Sequence, residues 1–175
     1  MKKDNYYSVF VVDDDKKLLT MLKHVIERNT SYNTEVKIFD TVEEFIEHIK
    51  EEPDIVVLDY YFESEDEQAP TGLEIMQKIK EQSPDTEIVI ISGQDDVDTA
   101  LETIREGAYD YVVKDDRAIP RTQLIVDNIM KARSREYALK QNNKNLRLVI
   151  GIMVVFIVAL IAFLAYALYL QEQHV

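Results

Sequence analysis

The chain has 175 residues, enough for one compact domain and a short additional segment. Its formal net charge of -13 at pH 7 argues against a general nucleic-acid binder, whose phosphate contacts need clustered Lys and Arg. The sequence contains no cysteine, which excludes disulfides, thiol catalysis and cysteine-based zinc sites. The first residues do not resemble a signal peptide, so we expect the bulk of the chain in the cytoplasm.

Short apolar runs alternate with helical stretches along residues 7–114. The runs predict strands at Ser8–Val12, Glu35–Phe39, Ile55–Leu58, Glu87–Ile91 and Tyr111–Val113. Two of them contain unbroken aliphatic segments, which is typical of parallel strands covered on both faces. The intervening stretches carry apolar residues at helical spacing, the fourth of them at Val97, Ala100, Leu101 and Ile104. We therefore predict an α/β domain with a doubly wound, five-stranded parallel sheet.

Four of the predicted strands are followed by residues whose side chains can bind a metal ion or a phosphoryl group. Asp13 and Asp14 follow the first strand, Asp59 the third, Ser92 the fourth and Lys114 the fifth. In such sheets the carboxyl ends of the strands form one edge, where ligands bind. Three carboxylates at one edge repel one another unless a cation shares them, and oxygen ligands suit Mg²⁺. A lysine and a hydroxyl opposite them can bind the oxygens of a phosphoryl group.

These motifs, in this order, resemble the receiver domain of bacterial response regulators of the chemotaxis-protein type. The similarity covers about residues 7–133. It is carried by VVDDD at 11–15, DIVVLD at 54–59, GLEIMQKIK at 72–80, IVIISGQDD at 88–96 and ALETIREGAYDYVVK at 100–114. The resemblance implies a flavodoxin-like fold that takes a phosphoryl group from a histidine kinase or a phosphotransfer protein. It implies no enzymatic activity beyond the domain's own phosphoryl transfer and hydrolysis.

The resemblance also implies a role for each residue of this edge. Asp59 matches the phosphoacceptor, and Ser92 and Lys114 match the residues that bind the phosphoryl oxygens. Mg²⁺ would be held by Asp13, Asp14, Asp59 and the backbone carbonyl of Tyr61. Tyr111 matches an aromatic residue that swings inward when the hydroxyl is drawn toward the phosphoryl group, although an ordinary core role is the alternative.

Two features depart from the family pattern. The loop after Asp59 is long and acidic, so that Gly72 lies thirteen residues further on. The acidic residues at 63–67 would repel a phosphodonor, assist Mg²⁺ recruitment or simply keep the loop in solvent. In addition, Lys114 is followed by Asp115 instead of proline. A cis bond before a non-proline residue costs about 3–4 kcal/mol, so we expect a trans bond or a rearranged loop.

An uncharged segment of 23 residues, 148–170, follows a basic stretch. As a helix it would be roughly 34 Å long, enough to cross a hydrocarbon core of about 30 Å, although a buried core helix is the alternative. Residues 1–120 carry a net charge of -17 and residues 121–147 carry +5. The positive-inside rule then places the N-terminal domain in the cytoplasm. We expect a single-pass protein of the inner membrane, with a receiver domain (7–133), a basic helical linker (134–147) and a transmembrane helix (148–170).

The leading hypothesis is a membrane-anchored response regulator that signals through phosphorylation-dependent protein contacts. Its expected partners are a histidine kinase or phosphotransfer protein, a membrane-associated output protein and the lipid bilayer, and no nucleic acid. Two alternatives stay open: a membrane scaffold or complex subunit that does not use phosphorylation, and a phosphate sink that drains a kinase. Because residues 121–170 contain no proline and one glycine, we expect a continuous helix, weakest at Gln141–Asn145.

Overall fold

A computed structural model of the chain describes residues 6–62, 70–93 and 97–172, with side chains up to residue 161. The acidic residues 63–67 lie outside the described residues. The chain divides into two compact units, Met1–Lys131 and Ala132–Val175. The boundaries expected for domain, linker and span stay predictions.

The first unit is built on five parallel strands. They are β1 (Tyr6–Val12), β2 (Asn33–Phe39), β3 (Ile55–Asp59), β4 (Glu87–Ser92) and β5 (Asp110–Val113). They pair in the order β2-β1-β3-β4-β5. The helices between them are α1 (Lys16–Asn29), α2 (Val42–His48) with a 3-10 turn at Ile49–Glu51, α3 (Gly72–Gln82) and α4 (Val97–Arg105), and α5 begins at Ala118. The predicted α/β fold with five parallel strands is confirmed, with strand ends displaced by one or two residues.

Apolar layers cover both faces of this sheet. On one face, α1 and α5 pack Leu22, Ile26, Ile129 and other residues against alternate strand positions. On the other face, α2 and α3 pack Phe45, Ile75 and other residues against the remaining positions. Since successive strand residues point to opposite faces, β1, β3 and β4 need an apolar residue at nearly every position. That requirement explains the unbroken aliphatic runs in the sequence.

Helix α4 buries less of its apolar stripe than its spacing suggests. Val97, Leu101 and Ile104 are 67%, 49% and 43% exposed, while Thr103 is fully buried. The Thr103 hydroxyl donates to backbone carbonyls one turn earlier in the same helix, so its burial leaves no orphaned donor. The apolar spacing of α4 therefore defines a helix without defining its buried face.

The second unit continues α5, which is helical as far as Glu172. Among the described helices, α5 is long and apolar enough to cross a membrane, with a window of mean hydropathy 2.2. No part of that window is buried, and the side chains from Leu148 to Ile161 are exposed. The helix is thus a candidate membrane span.

Candidate functional site

The sheet brings residues that are far apart in sequence to one edge. Asp13 directly follows β1, and Asp59 ends the neighbouring strand β3. The peptide N–H of Lys114 donates to the carbonyl of Ser92 at 2.7 Å, which holds the start of the loop after β5 beside the end of β4. The order of strands in the sheet therefore gathers the predicted acidic, basic and hydroxyl residues at their carboxyl ends.

Three carboxylates form the centre of the site. Asp13, Asp14 and Asp59 each offer an oxygen, and these atoms lie within 4.8 Å of one another. Asp13 is fully buried and Asp59 is 2% exposed. The next carboxylate along the chain, Asp15, has a different use, because it caps α1 by accepting from the N–H groups of Lys17 and Leu18. Within the part of the chain that the structure describes, the cluster thus consists of the three residues that the sequence predicts.

The ammonium of Lys114 lies between two of these carboxylates. Its Nζ is 2.8 Å from Asp59 Oδ2, to which it donates a hydrogen bond, and 2.8 Å from Asp13 Oδ2. The contact with Asp13 is an ion pair without hydrogen-bond geometry, so that Asp13 Oδ2 is buried with no hydrogen bond. The ion pair offsets only part of the free energy that burial of this carboxylate costs. One ammonium beside three carboxylates also leaves an excess of negative charge, and both properties suit a divalent cation with oxygen ligands.

Burial dominates the protonation of this cluster. It raises the pKa of Asp59 to about 6; the hydrogen bond from Lys114 opposes this shift and the charge of Asp13 adds to it. Burial also raises the pKa of Asp13. For Lys114, burial lowers the pKa, but the close contacts with the two carboxylates and their negative charges outweigh it and the pKa is raised. At pH 7 the Asp59 carboxyl is therefore roughly nine-tenths ionised, and the lysine is charged.

The remaining predicted residues lie around this cluster. Ser92 is fully buried at the end of β4. The peptide N–H of Tyr61 lies 3.4 Å from Asp59 Oδ1, and its side chain is 45% exposed. Tyr111 lies within β5, paired with Ile90, and its side chain packs in the apolar layer on the α2–α3 face. The position of Tyr111 is that of a core residue, and its switch role stays a prediction.

The loop after Lys114 has ordinary peptide geometry. Within the described residues there is no cis peptide bond, so Lys114 and Asp115 are joined in trans, one of the two outcomes expected from the missing proline. The N–H of Asp115 donates to the carbonyl of Val113, and the N–H of Ala118 donates to the carbonyl of Asp115. The chain thus turns directly from β5 into α5.

Gly72 packs directly against the backbone of β3 and the residue that follows it, a close approach that its spacing from Asp59 in the sequence does not reveal. Its N–H donates to the Tyr60 carbonyl at 2.9 Å, and a Cβ there would lie 2.6 Å from Tyr60 Cα and 2.8 Å from the Asp59 carbonyl oxygen. Thr71 and Glu74 form a capping box at the start of α3, a pattern that the sequence displays. The first residue of α3 is therefore in direct contact with the backbone of Asp59 and Tyr60.

The family profile of the response regulator receiver domain matches residues 9–123, and the chain belongs to this family. Membership implies interaction with a histidine kinase or a phosphotransfer protein, the phosphodonors of two-component systems.

Among curated proteins, the chain is 32% identical over 124 residues to the regulatory protein LuxO of Vibrio cholerae serotype O1, a match that covers 70% of this chain and 26% of LuxO. It is 30% identical over 115 residues to the DNA-binding transcriptional regulator NtrC of Proteus hauseri, covering 65% of this chain and 22% of NtrC. The chain thus matches about a quarter of the length of these relatives.

Solved structures show the same fold. The signal receiver domain of a LuxO repressor protein from Vibrio parahaemolyticus superposes with a TM-score of 0.64 at 21% identity, covering 77% of this chain and 96% of that domain. The response regulator DrrB of Thermotoga maritima gives a TM-score of 0.62 at 27% identity, covering 73% of this chain and 54% of DrrB.

Gly72→Ala should lower the free energy of unfolding by about 1–3 kcal/mol, because the added methyl meets backbone atoms that cannot move aside freely. Gly93→Ala is the matched control, since a Cβ there has no neighbour within 4 Å, and it should change stability by less than about 0.5 kcal/mol. Urea unfolding of the fragment 1–135 measures both. Equal stabilities of the two variants would contradict the contact.

In Mg²⁺-free protein, Asp59→Asn should raise the free energy of unfolding by about 2 kcal/mol at pH 7. The increase should be smaller at pH 5. The folded carboxyl titrates near 6 and its ordinary value is 3.8, so folding is favoured by a bound proton. That contribution is present below about pH 4 and is lost as the pH rises to about 6.

Urea unfolding in a chelator at pH 5, 6 and 7 measures this dependence. Asp85→Asn, at an exposed position, serves as the control for the removal of one negative charge. An Asp59→Asn effect that is the same at all three pH values would show that the carboxyl is not perturbed.

Proposed function

We propose that the chain is a membrane-anchored response regulator that accepts a phosphoryl group on Asp59 and signals through phosphorylation-dependent protein contacts. The observation that carries this proposal is the position of Asp59, almost fully buried at the end of β3, within 2.8 Å of the Lys114 ammonium and beside two further carboxylates. A purely structural domain gains no stability from a buried carboxylate cluster. The proposal includes no enzymatic activity beyond the domain's own phosphoryl transfer and hydrolysis.

The residues support a nucleophilic transfer. A carboxylate oxygen of Asp59 attacks the phosphorus of a phosphohistidine, an O–P bond forms, the N–P bond breaks and its electron pair returns to the imidazole. Attack requires the ionised carboxyl, which predominates above pH 6. Lys114 then pairs with one oxygen of the transferred group, and the Ser92 hydroxyl donates to another.

The acidic cluster fits a magnesium ion. The buried Asp13 Oδ2 without a hydrogen bond and the excess of carboxylates over ammonium groups are both relieved by a hard cation. Its ligands would be Asp13, Asp14, Asp59 and the backbone carbonyl of Tyr61. When bound, Mg²⁺ neutralises charge on the phosphoryl oxygens.

Signalling would start from Ser92 and reach Tyr111 through the two adjacent strands. Ser92 pairs with Val113, and Ile90 pairs with Tyr111, two residues earlier on each strand. A displacement of Ser92 toward the phosphoryl group would therefore change the packing of the Tyr111 ring, a local event that biases a two-state element. A membrane-associated output protein would read the resulting surface.

Membrane anchoring is supported by α5. Its apolar window is exposed throughout, and residues 121–147 before it carry an excess of five positive charges. The positive-inside rule places the receiver domain in the cytoplasm, next to the inner membrane. A tether of this kind would raise the effective concentration of the domain for partners in the same membrane.

Incubation of the fragment 1–135 with Mg²⁺ and acetyl phosphate should add one phosphoryl group, measured as intact mass. Asp59→Asn should abolish the addition because it removes the nucleophile, and a chelator should strongly reduce it. The exposed Asp85→Asn should be labelled like the wild type. Normal labelling of Asp59→Asn would refute the assignment, and an unlabelled wild type would favour the scaffold hypothesis.

Protease added outside intact cells should leave residues 1–147 undigested, because the basic residues before the span hold them in the cytoplasm. Inverted membrane vesicles provide the control, since there the same protease should degrade the domain. Digestion in intact cells would reverse the proposed orientation.

A further inference from the structure

The basic residues nearest to the apolar segment lie on one face of α5. Lys140, Lys144 and Arg147 are separated by four and three residues, a spacing that places side chains on the same side of a helix. Tyr137, Gln141 and Asn143 lie beside them on the same part of the helix surface. We call Lys140, Lys144 and Arg147 the cationic stripe.

The other side of the same turns is uncharged. Asn142 and Asn145 lie there with the exposed side chains of Leu139 and Leu146. In residues 139–147 every charged side chain belongs to the cationic stripe. The positive charge is therefore directional and does not form an even collar around the helix.

The cationic stripe is open to solvent. All three of its residues are exposed. Lys140 pairs with Glu136 at 2.6 Å, with both side chains more than 60% exposed. Exposed ion pairs between residues four apart in a helix contribute little to stability. An anion that binds Lys140 more strongly can therefore displace the Glu136 carboxylate.

The spacing along the helix places the stripe beside the polar surface of a membrane. At a rise of 1.5 Å per residue, Lys144 lies about 6 Å before Leu148 and Lys140 about 12 Å before it. The headgroup layer on each side of a bilayer is about 5–7 Å thick, and charges interact over a further 8–10 Å at physiological salt. If residues 148–170 span the membrane, all three cations are within reach of lipid phosphates.

We propose that the cationic stripe is a binding site for the headgroups of anionic phospholipids in the cytoplasmic leaflet. This inference rests on the membrane-anchored function proposed above. Three cations within about 11 Å on one face can converge on one or two neighbouring phosphates, which an even collar cannot do. Because the stripe runs directly into the apolar segment, a lipid is favoured over an acidic protein as its ligand. The bound lipid would hold the helix in one rotation about its axis.

The test uses the full chain reconstituted in vesicles of an equal mixture of phosphatidylcholine and phosphatidylglycerol. Native mass spectrometry after detergent extraction gives the ratio of anionic to neutral lipid retained. The wild type should retain phosphatidylglycerol preferentially. Each basic residue near an anionic surface contributes about fivefold, so Lys140→Gln with Lys144→Gln should lower the ratio roughly tenfold or more. Arg147 is kept unchanged to preserve the orientation.

A charge-matched variant separates a directional site from general attraction. Adding Asn142→Lys and Asn145→Lys to the double substitution restores the net charge at a similar depth but on the other face. The ratio of anionic to neutral lipid retained by this variant should be as low as that of the double variant. Full recovery would overturn the stripe in favour of a non-directional collar, and an unchanged ratio in the double substitution would overturn lipid binding, as expected if the ligand is an acidic protein.

A carbonate wash of the vesicles comes first and separates the two proposals. Release of the protein would overturn the membrane anchor and the lipid site together. Retention of the protein without any preference for phosphatidylglycerol would overturn the lipid site alone.

Discussion

The contact between the Lys114 ammonium and the carboxylates of Asp13 and Asp59 joins the ends of three strands that are not consecutive in the chain. Two carboxylates this deeply buried would repel each other strongly if they were ionised without a cation. The lysine reduces that repulsion, and it leaves enough negative charge for a divalent ion. Burial raises the pKa of Asp59, and the lysine offsets only part of that shift. The negative charge that the lysine leaves uncompensated is what suits the site to Mg²⁺.

At the proposed metal site, protons and magnesium would compete for the same oxygens. A metal ligand must be deprotonated, so an Asp59 that titrates near 6 would bind Mg²⁺ less well as the pH falls toward that value. In the other direction, a bound divalent ion favours the ionised carboxyl and would lower its pKa. Under the proposed function, the site would be ready for reaction only when the metal is bound, so the ionisation of the nucleophile would depend on the ion.

The features that sequence predicts well here are those fixed by local pattern. Apolar runs predicted the five strands, and the polar residues after four of them predicted that Asp13, Asp59, Ser92 and Lys114 would lie together, because parallel strands place their carboxyl ends at one edge. The close approach of Gly72 to Asp59 was not predictable, since it depends on the path of a loop of unusual length. The exposure of the apolar residues of α4 was not predicted either. Helical spacing shows which residues share a face, but it does not show whether another element covers that face. The pKa of Asp59 depends on burial, which only the folded arrangement determines.

The order of elements along α5 has a consequence for synthesis of the protein. The last residue that the sheet needs for its apolar layer is Met130, and the uncharged segment begins at Leu148. The stretch between them is short enough to lie inside the exit tunnel of the ribosome, so Met130 is still enclosed when Leu148 is added. The apolar layer on the α1–α5 face can therefore be completed only after synthesis has entered the uncharged segment. A factor that bound this segment as it emerged would meet a receiver domain whose last helix had not yet packed.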